Sequence, residues 1–231
     1  MSHFSLAVLH EAGQDIDEIL SPYDEELECD ERLEYSKEEA IRTAREYYEG
    51  TAGMSDEECW EFMAKMPGCT SDAHGNIYVK CNNNAKWDWY EIGGRWDGYL
   101  RVKGERTNSA RIGEIDFSPD KEVYEKSLRF WDVAVEHEPA RPEEKFFTIF
   151  KEEYYREYYG DRENYARMQA SFSTHAVITP DGEWHESGEM GYFGISDETA
   201  EEAADWSKHY QERFIESADK NLMLTIVDCH I

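Results

Sequence analysis

The sequence predicts an α+β protein built on one mixed or antiparallel sheet, and three observations carry that expectation. Stretches rich in β-compatible residues stand at both ends of the chain, HFSLAVLH (3–10) and LMLTIVDCHI (222–231). A third, HAVITPDGEWHE (175–186), contains Pro180-Asp181-Gly182 and reads as a hairpin. Helices and hairpins fill the interval between them, so the N-terminal strand is expected beside the 175–186 hairpin and the C-terminal strand.

The elements follow in order. Residues 3–10 form the first strand. Residues 11–39 carry 13 acids and 2 bases around Ser21-Pro22, and read as a solvated acidic loop or interaction arm. Ser36 with Glu39 is a capping-box signature that opens a helix ending near Gly50. Ser55 with Glu58 repeats it, opening a helix that Pro67-Gly68 stops near Met66. From 77 to 117 the pieces IYVK, KWDWYEI, RWDGYLRV and ARIGEIDF are punctuated by Asn82-Asn83-Asn84, Gly93-Gly94 and Asn108-Ser109, and read as hairpins.

The pattern turns helical from Pro119 to Phe172, broken at Arg141-Pro142. The second of these helices places Phe146, Ile149, Phe150, Tyr154 and Tyr158 on one face, as core-forming stripes do. Ser196 is expected to cap a last helix whose Ala203, Trp206, Tyr210 and Phe214 share a face. Its acids Asp197, Glu198, Glu201, Glu202 and Asp205 suit the positive N-terminal end of a helix. The whole is expected to be a single α+β domain over 1–231, with 119–172 as an aromatic-rich helical insertion or subdomain.

Charge is the outlying property. The 231 residues carry 52 acids against 24 Lys+Arg, a formal net charge of -28. Such a surface repels nucleic acid and anionic membranes and steers basic partners toward itself; the plainer consequence is solubility. Residues 80–113 are the exception, with 7 Lys+Arg against 4 acids, and these cations either pair with the acidic remainder or form a basic patch. Five cysteines, odd in number and without a CxxC, point to free thiols in a reducing compartment. MSHFSLAVLH lacks a basic n-region, and no run of about 18 apolar residues occurs, so a cytoplasmic protein with no membrane partner is expected.

Catalytic motifs are not found. The chain has no GxGxxG, GxxxxGK[ST], GxSxG or HExxH, and IGGRWDG lacks the lysine and strand–loop–helix setting of a phosphate loop. His3, His10, His175, His185 and His230 all fall on expected strands, where His3 with His230, or His175 with His185, can meet across the sheet. Asp228-Cys229-His230 is not a metal triplet, because successive strand residues face opposite sides. No catalytic residue, cofactor or metal is assigned. An enzyme using His175, His185, Cys229 and His230 stands last among the readings.

The segment KWDWYEIGGRWDGYL is the densest aromatic stretch. Trp87 and Trp89 share a parity, Gly93-Gly94 offers a turn, and Trp96 would return beside Trp89 or Tyr90. One tryptophan of the pair 87 and 89 is expected in the core. Asp88, Tyr90, Arg95 and Asp97 are expected at the surface, Arg95 as a clamp for a carboxylate or phosphate.

Four segments then carry a resemblance: HFSLAVLHEAGQDIDEILSPYDEELE, NNNAKWDWYEIGGRW, HAVITPDGEWHESGEMGYFGI and TIVDCHI. Together they cover 69 of the 231 residues, and they resemble a family of phage and bacterial mobile-element proteins of uncharacterised activity. Asn83 departs from the family pattern, which has proline there. The resemblance implies a mobile-element setting, in the cytoplasm of a bacterial host, and no particular activity.

Charge and resemblance together lead to a non-enzymatic accessory protein. It would inhibit a nucleic-acid-binding host defence, such as a CRISPR effector or restriction complex, by occupying its basic surface as a DNA mimic does. The expected contact residues are Asp88, Tyr90, Arg95, Trp96, Asp97, Glu198, Glu201, Glu202 and Asp205, and the expected partner is that basic host complex with no direct binding of nucleic acid. The alternative is a small-ligand protein that binds a nucleotide or signal molecule through the Trp87–Trp96 aromatic hairpin.

Overall fold

A computed structural model describes residues 2–148, 150–191 and 195–231. In chain order the strands and helices are β1 (His3–His10), α1 (Ile16–Leu20), β2 (Arg32–Tyr35), α2 (Lys37–Tyr47), α3 (Asp56–Ala64), β3 (Cys69–Ser71) and β4 (Ile77–Val79). There follow β5 (Trp89–Ile92), β6 (Leu100–Val102), β7 (Glu105–Thr107), β8 (Ser109–Arg111), α4 (Lys121–Ala134), α5 (Glu152–Tyr159) and α6 (Arg162–Ala170). The chain closes with β9 (Ala176–Ile178), β10 (Trp184–Glu186), α7 (Ala200–Tyr210) and β11 (Met223–His230). This is an α+β fold.

The chain divides into two compact units. One comprises residues 1–19 and 89–231, and the other is the continuous stretch 20–88. The division does not follow the single domain with a 119–172 subdomain that the sequence leads one to expect. Residues 119–172 belong to the first unit, and it is the stretch with both capping boxes that packs by itself.

In the first unit the main sheet runs β10-β9-β1-β11-β5, with β8 also paired to β11. Only the β1–β9 pairing is parallel, so the sheet is mixed, as the terminal strands and the 175–186 hairpin predict. β1 and β11 pair along their whole length, from His3 opposite His230 to His10 opposite Met223. Both read as near-continuous apolar runs because both faces are buried: Leu6, Ala7, Val8, Leu224, Ile226 and Val227 are sealed from solvent. Each buried Leu, Ile or Val side chain of this kind contributes about 2 kcal/mol.

Alternation along these strands sorts the chemistry. Ala7, Leu9, Leu224 and Ile226 point to the face where Tyr210 and Phe214 of the last helical segment pack with Val177 and Leu100. His3, Ser5, Asp228 and His230 continue that same face beyond the apolar zone. A second cluster of Trp131, Val135, Tyr155 and Tyr165 joins α4, α5 and α6, with Phe130 stacked on Tyr165 at 5.4 Å. The smaller unit packs Ala40 and Ala44 of α2 against Cys59 and Met63 of α3, over Ile77. Its sheet runs β2-β4-β3.

Several expectations are corrected. The acidic stretch 11–39 is not loop throughout, since it contains α1 and β2. Both capping boxes form, at Ser36/Glu39 and Ser55/Glu58, but the last helix is capped by Thr199 with Glu202 rather than by Ser196. The helix expected from 142 begins only at Glu152 and stops at Gly160, after which Asp161 caps the separate α6. Ile149 lies outside the described residues. Gly93-Gly94 does not close a hairpin: β5 pairs with β11, whereas β6 pairs with β7 through Lys103-Gly104, both at positive φ. That pair of left-handed residues matches the twist a two-residue hairpin needs, so the real hairpin sits ten residues further on.

Candidate functional site

The aromatic stretch is parted by the fold. Trp87, 7% exposed, and Asp88 belong to the smaller unit, and Trp89 begins β5 of the larger one. Trp87 is thus the core tryptophan of the pair. Trp89 is 50% exposed and faces the same side as His230, its partner in register. Trp96 does not return beside Trp89, because Gly94–Trp96 coil into a 3-10 turn that sets its ring against the main core.

That turn has a specific anchor. Asp228 on β11 is 2% exposed, and its carboxylate accepts the backbone N–H of Arg95 at 2.9 Å. Its other oxygen lies 2.8 Å from His3 Nδ1. An ionised carboxylate only accepts, so Nδ1 carries the proton and Nε2 is left as the second ring nitrogen. Gly94 permits this approach: at φ +49° its backbone is so close that a Cβ would stand 2.4 Å from the Asp228 Cβ. Gly93, at φ +79°, is held equally close to Asn108.

Three rings gather at the same place. His3 and His230 meet edge to face at 5.0 Å, and Trp89 lies 6.4 Å from His3 and 6.5 Å from His230. The cross-sheet meeting of His3 with His230 is therefore real, and Asp228, set aside above as part of a metal triplet, holds the His3 ring there. A usable signal existed: β1 and β11 aligned antiparallel from their ends bring residues 3, 228 and 230 to one face. Cys229 between them faces the other side, where complete burial pushes its thiol well above the usual range. It is no nucleophile in this setting.

His185 stands opposite Val177 and its ring packs on Phe214, whereas His175 lies beside Ser187. A cavity of about 210 Å³ is lined there by Tyr158, Thr174, His175, Ser187, Glu198 and Trp206. Glu198 accepts hydrogen bonds from the hydroxyls of Tyr158, at 2.7 Å, and of Ser187. Burial and this carboxylate push the Tyr158 phenol far up. Among the described residues no group of three His, Cys, Asp or Glu is placed to hold a metal ion.

The other expected contact residues fall as follows. Tyr90 is partly buried and its hydroxyl meets the Asp17 carboxylate. Arg95 and Asp97 are exposed, and Asp97 accepts from the Asn108 side chain at 2.8 Å. Of the four acids on or just before the last helix, three are engaged internally. Glu198 lines the cavity, Glu202 closes the capping box with Thr199, and Asp205 pairs with Arg213 at 2.7 Å. Glu201 is exposed beside them.

Four of the seven cations of the basic stretch are also engaged. Arg101 faces Asp116 and Asp120 at 3.7 Å, Arg106 meets Asp120 at 3.2 Å, and Lys103 meets Glu114 at 3.6 Å. Arg111 donates to the Asn221 carbonyl at 2.9 Å. Among the described residues no helix is long and apolar enough to cross a membrane. Comparison with protein-family models, with curated proteins and with solved structures finds no match to this chain.

Proposed function

We propose that this is a non-enzymatic binding protein whose carboxylate surface occupies the basic, nucleic-acid-binding surface of a host defence complex. A CRISPR effector or restriction complex is the target class, in the phage or mobile-element setting that the sequence resemblance implies. The observation that carries this reading is the pairing, within the chain, of three of the cations that break the acidic pattern. With Arg101, Lys103 and Arg106 paired to Asp116, Asp120 and Glu114, the local excess of base is neutralised and the net charge of -28 is left to the outer surface.

The smaller unit carries a run of surface carboxylates. Glu25, Glu26, Glu28, Asp30 and Glu31 are all exposed, and from Leu27 to Glu31 the backbone forms no regular element. An extended acidic segment can follow a groove that ordinarily holds a phosphate backbone, and release the same counterions on binding. The absence of catalytic motifs fits a protein that acts by occupancy.

Affinity purification from host cells, followed by a salt titration of the captured complex, tests this. A basic nucleic-acid-binding protein is expected, displaced by competing DNA, with affinity that falls steeply with salt. Replacing Glu26, Glu28 and Asp30 by Gln, Gln and Asn is expected to weaken binding at least tenfold and to flatten the salt slope. A complex insensitive to salt and to DNA would refute the reading.

A further inference from the structure

We propose a second, separate site on the larger unit: a binding site for a small aromatic oxyanion of the nucleotide class, formed by Arg95, His3 and Trp89 around buried Asp228.

Arg95 is the first reason. Four arginines lie between residues 95 and 111, and Arg101, Arg106 and Arg111 each bind within the protein. The Arg95 side chain is exposed and has no ion-pair partner among the described residues. That is unusual in a chain with two carboxylates for every cation. Its backbone is nevertheless fixed, because its N–H is held by Asp228 and the preceding turn is pressed against β11. A guanidinium on an anchored stem, with five donors in a rigid fork, suits a phosphate.

His3 is the second. Asp228 fixes the ring through Nδ1, and Nε2 has no hydrogen-bond partner among the described residues. The side chain keeps 13% of its surface exposed. Asp228 itself is satisfied on both oxygens by buried or part-buried donors, so the carboxylate serves to orient the imidazole and the turn. An oriented imidazole with an open nitrogen offers a second polar contact, an acceptor for a base amino group or a ribose hydroxyl.

Trp89 is the third. It is half exposed at the edge strand β5, in edge-to-face contact with both imidazoles, which hold its ring in place. A fixed, open indole is a stacking platform for a planar base, a contact worth about 1–3 kcal/mol. The Arg95 backbone and the His3 imidazole thus meet at Asp228, and the Trp89 indole lies beside the same imidazole. The proposal does not rest on the carboxylate surface, and either can fail without the other.

Isothermal titration of the purified chain with the four common nucleoside 5′-monophosphates tests it, with adenosine and inorganic phosphate as the separate halves. Saturable binding of at least one nucleotide is expected, at least tenfold tighter than either half. Arg95→Ala and Trp89→Ala are each expected to weaken it at least tenfold. Both side chains are exposed, and unchanged melting would show that these variants still fold. His3→Gln is expected to weaken nucleotide binding. Three outcomes would overturn the proposal: no saturable binding of any nucleotide at millimolar concentration, binding that survives Arg95→Ala and Trp89→Ala, or phosphate alone binding as tightly as the nucleotides.

Discussion

Gly94 sets how closely the 93–96 turn approaches the C-terminal strand. Its φ of +49° is strained for any other residue, and a Cβ there would collide with the Asp228 side chain rather than with a flexible tip. Gly94→Ala is therefore expected to cost on the order of 2–3 kcal/mol, read as a lower melting temperature. Gly104, also at positive φ, has open space around the position of a Cβ. Gly104→Ala should cost only about 1 kcal/mol from the backbone alone. Equal losses at the two sites would contradict the close packing on Asp228. The Gly-Gly pair was legible from sequence as a place where the chain turns. That it serves a buried carboxylate 134 residues away was not, because the reason lies in a neighbour that folding supplies.

At the scale of elements, the helix caps separate what is local from what is not. Ser36 and Ser55 cap as their spacing to Glu39 and Glu58 requires, since a capping box is satisfied within four residues. For the last helix two cap residues compete in sequence, and the structure selects Thr199. Thr199→Ala is expected to cost about 1 kcal/mol by thermal or urea unfolding, and Ser196→Ala clearly less. The helix expected from 142 fails for a physical reason that sequence periodicity hides. Glu144 is drawn away from helical duty: its carboxylate receives the Arg129 guanidinium of α4 at 2.9 Å and the Arg141 backbone N–H at 2.8 Å. These contacts hold the Glu144 carboxyl down at about 2, against an ordinary value of 4.5. Because the folded value is the lower one, the contact stabilises fully above the ordinary value. It is lost as pH falls from about 4.5 toward 2. Glu144→Gln should melt lower than the parent at pH 7, and the two should converge as the pH approaches 2. A gap that stays constant over that range would mean the ion pair contributes nothing.

For the whole molecule, charge and core act on different things. With a net of -28 the folded chain repels itself, and added salt screens that repulsion within about 10 Å at 0.1 M. Raising NaCl from low to moderate concentration at pH 7 is expected to raise the melting temperature. A flat or falling curve would mean that the internal ion pairs outweigh the repulsion. The core is indifferent to this balance, and Leu224→Ala at the centre of β11 is expected to cost about 2–5 kcal/mol at any salt. The amino-acid sequence by itself determined the α+β class, the terminal strands and the 176–186 hairpin of the main sheet, two helix caps and the acidic surface. Each of these follows from periodicity, composition or contacts a few residues long. Tertiary structure alone decided that 20–88 packs as its own unit, that Trp87 is buried while Trp89 is exposed, and that His3, Arg95 and Asp228 converge. Those outcomes depend on which strand pairs with which, and antiparallel pairing of the two chain ends joins residues that no local pattern relates.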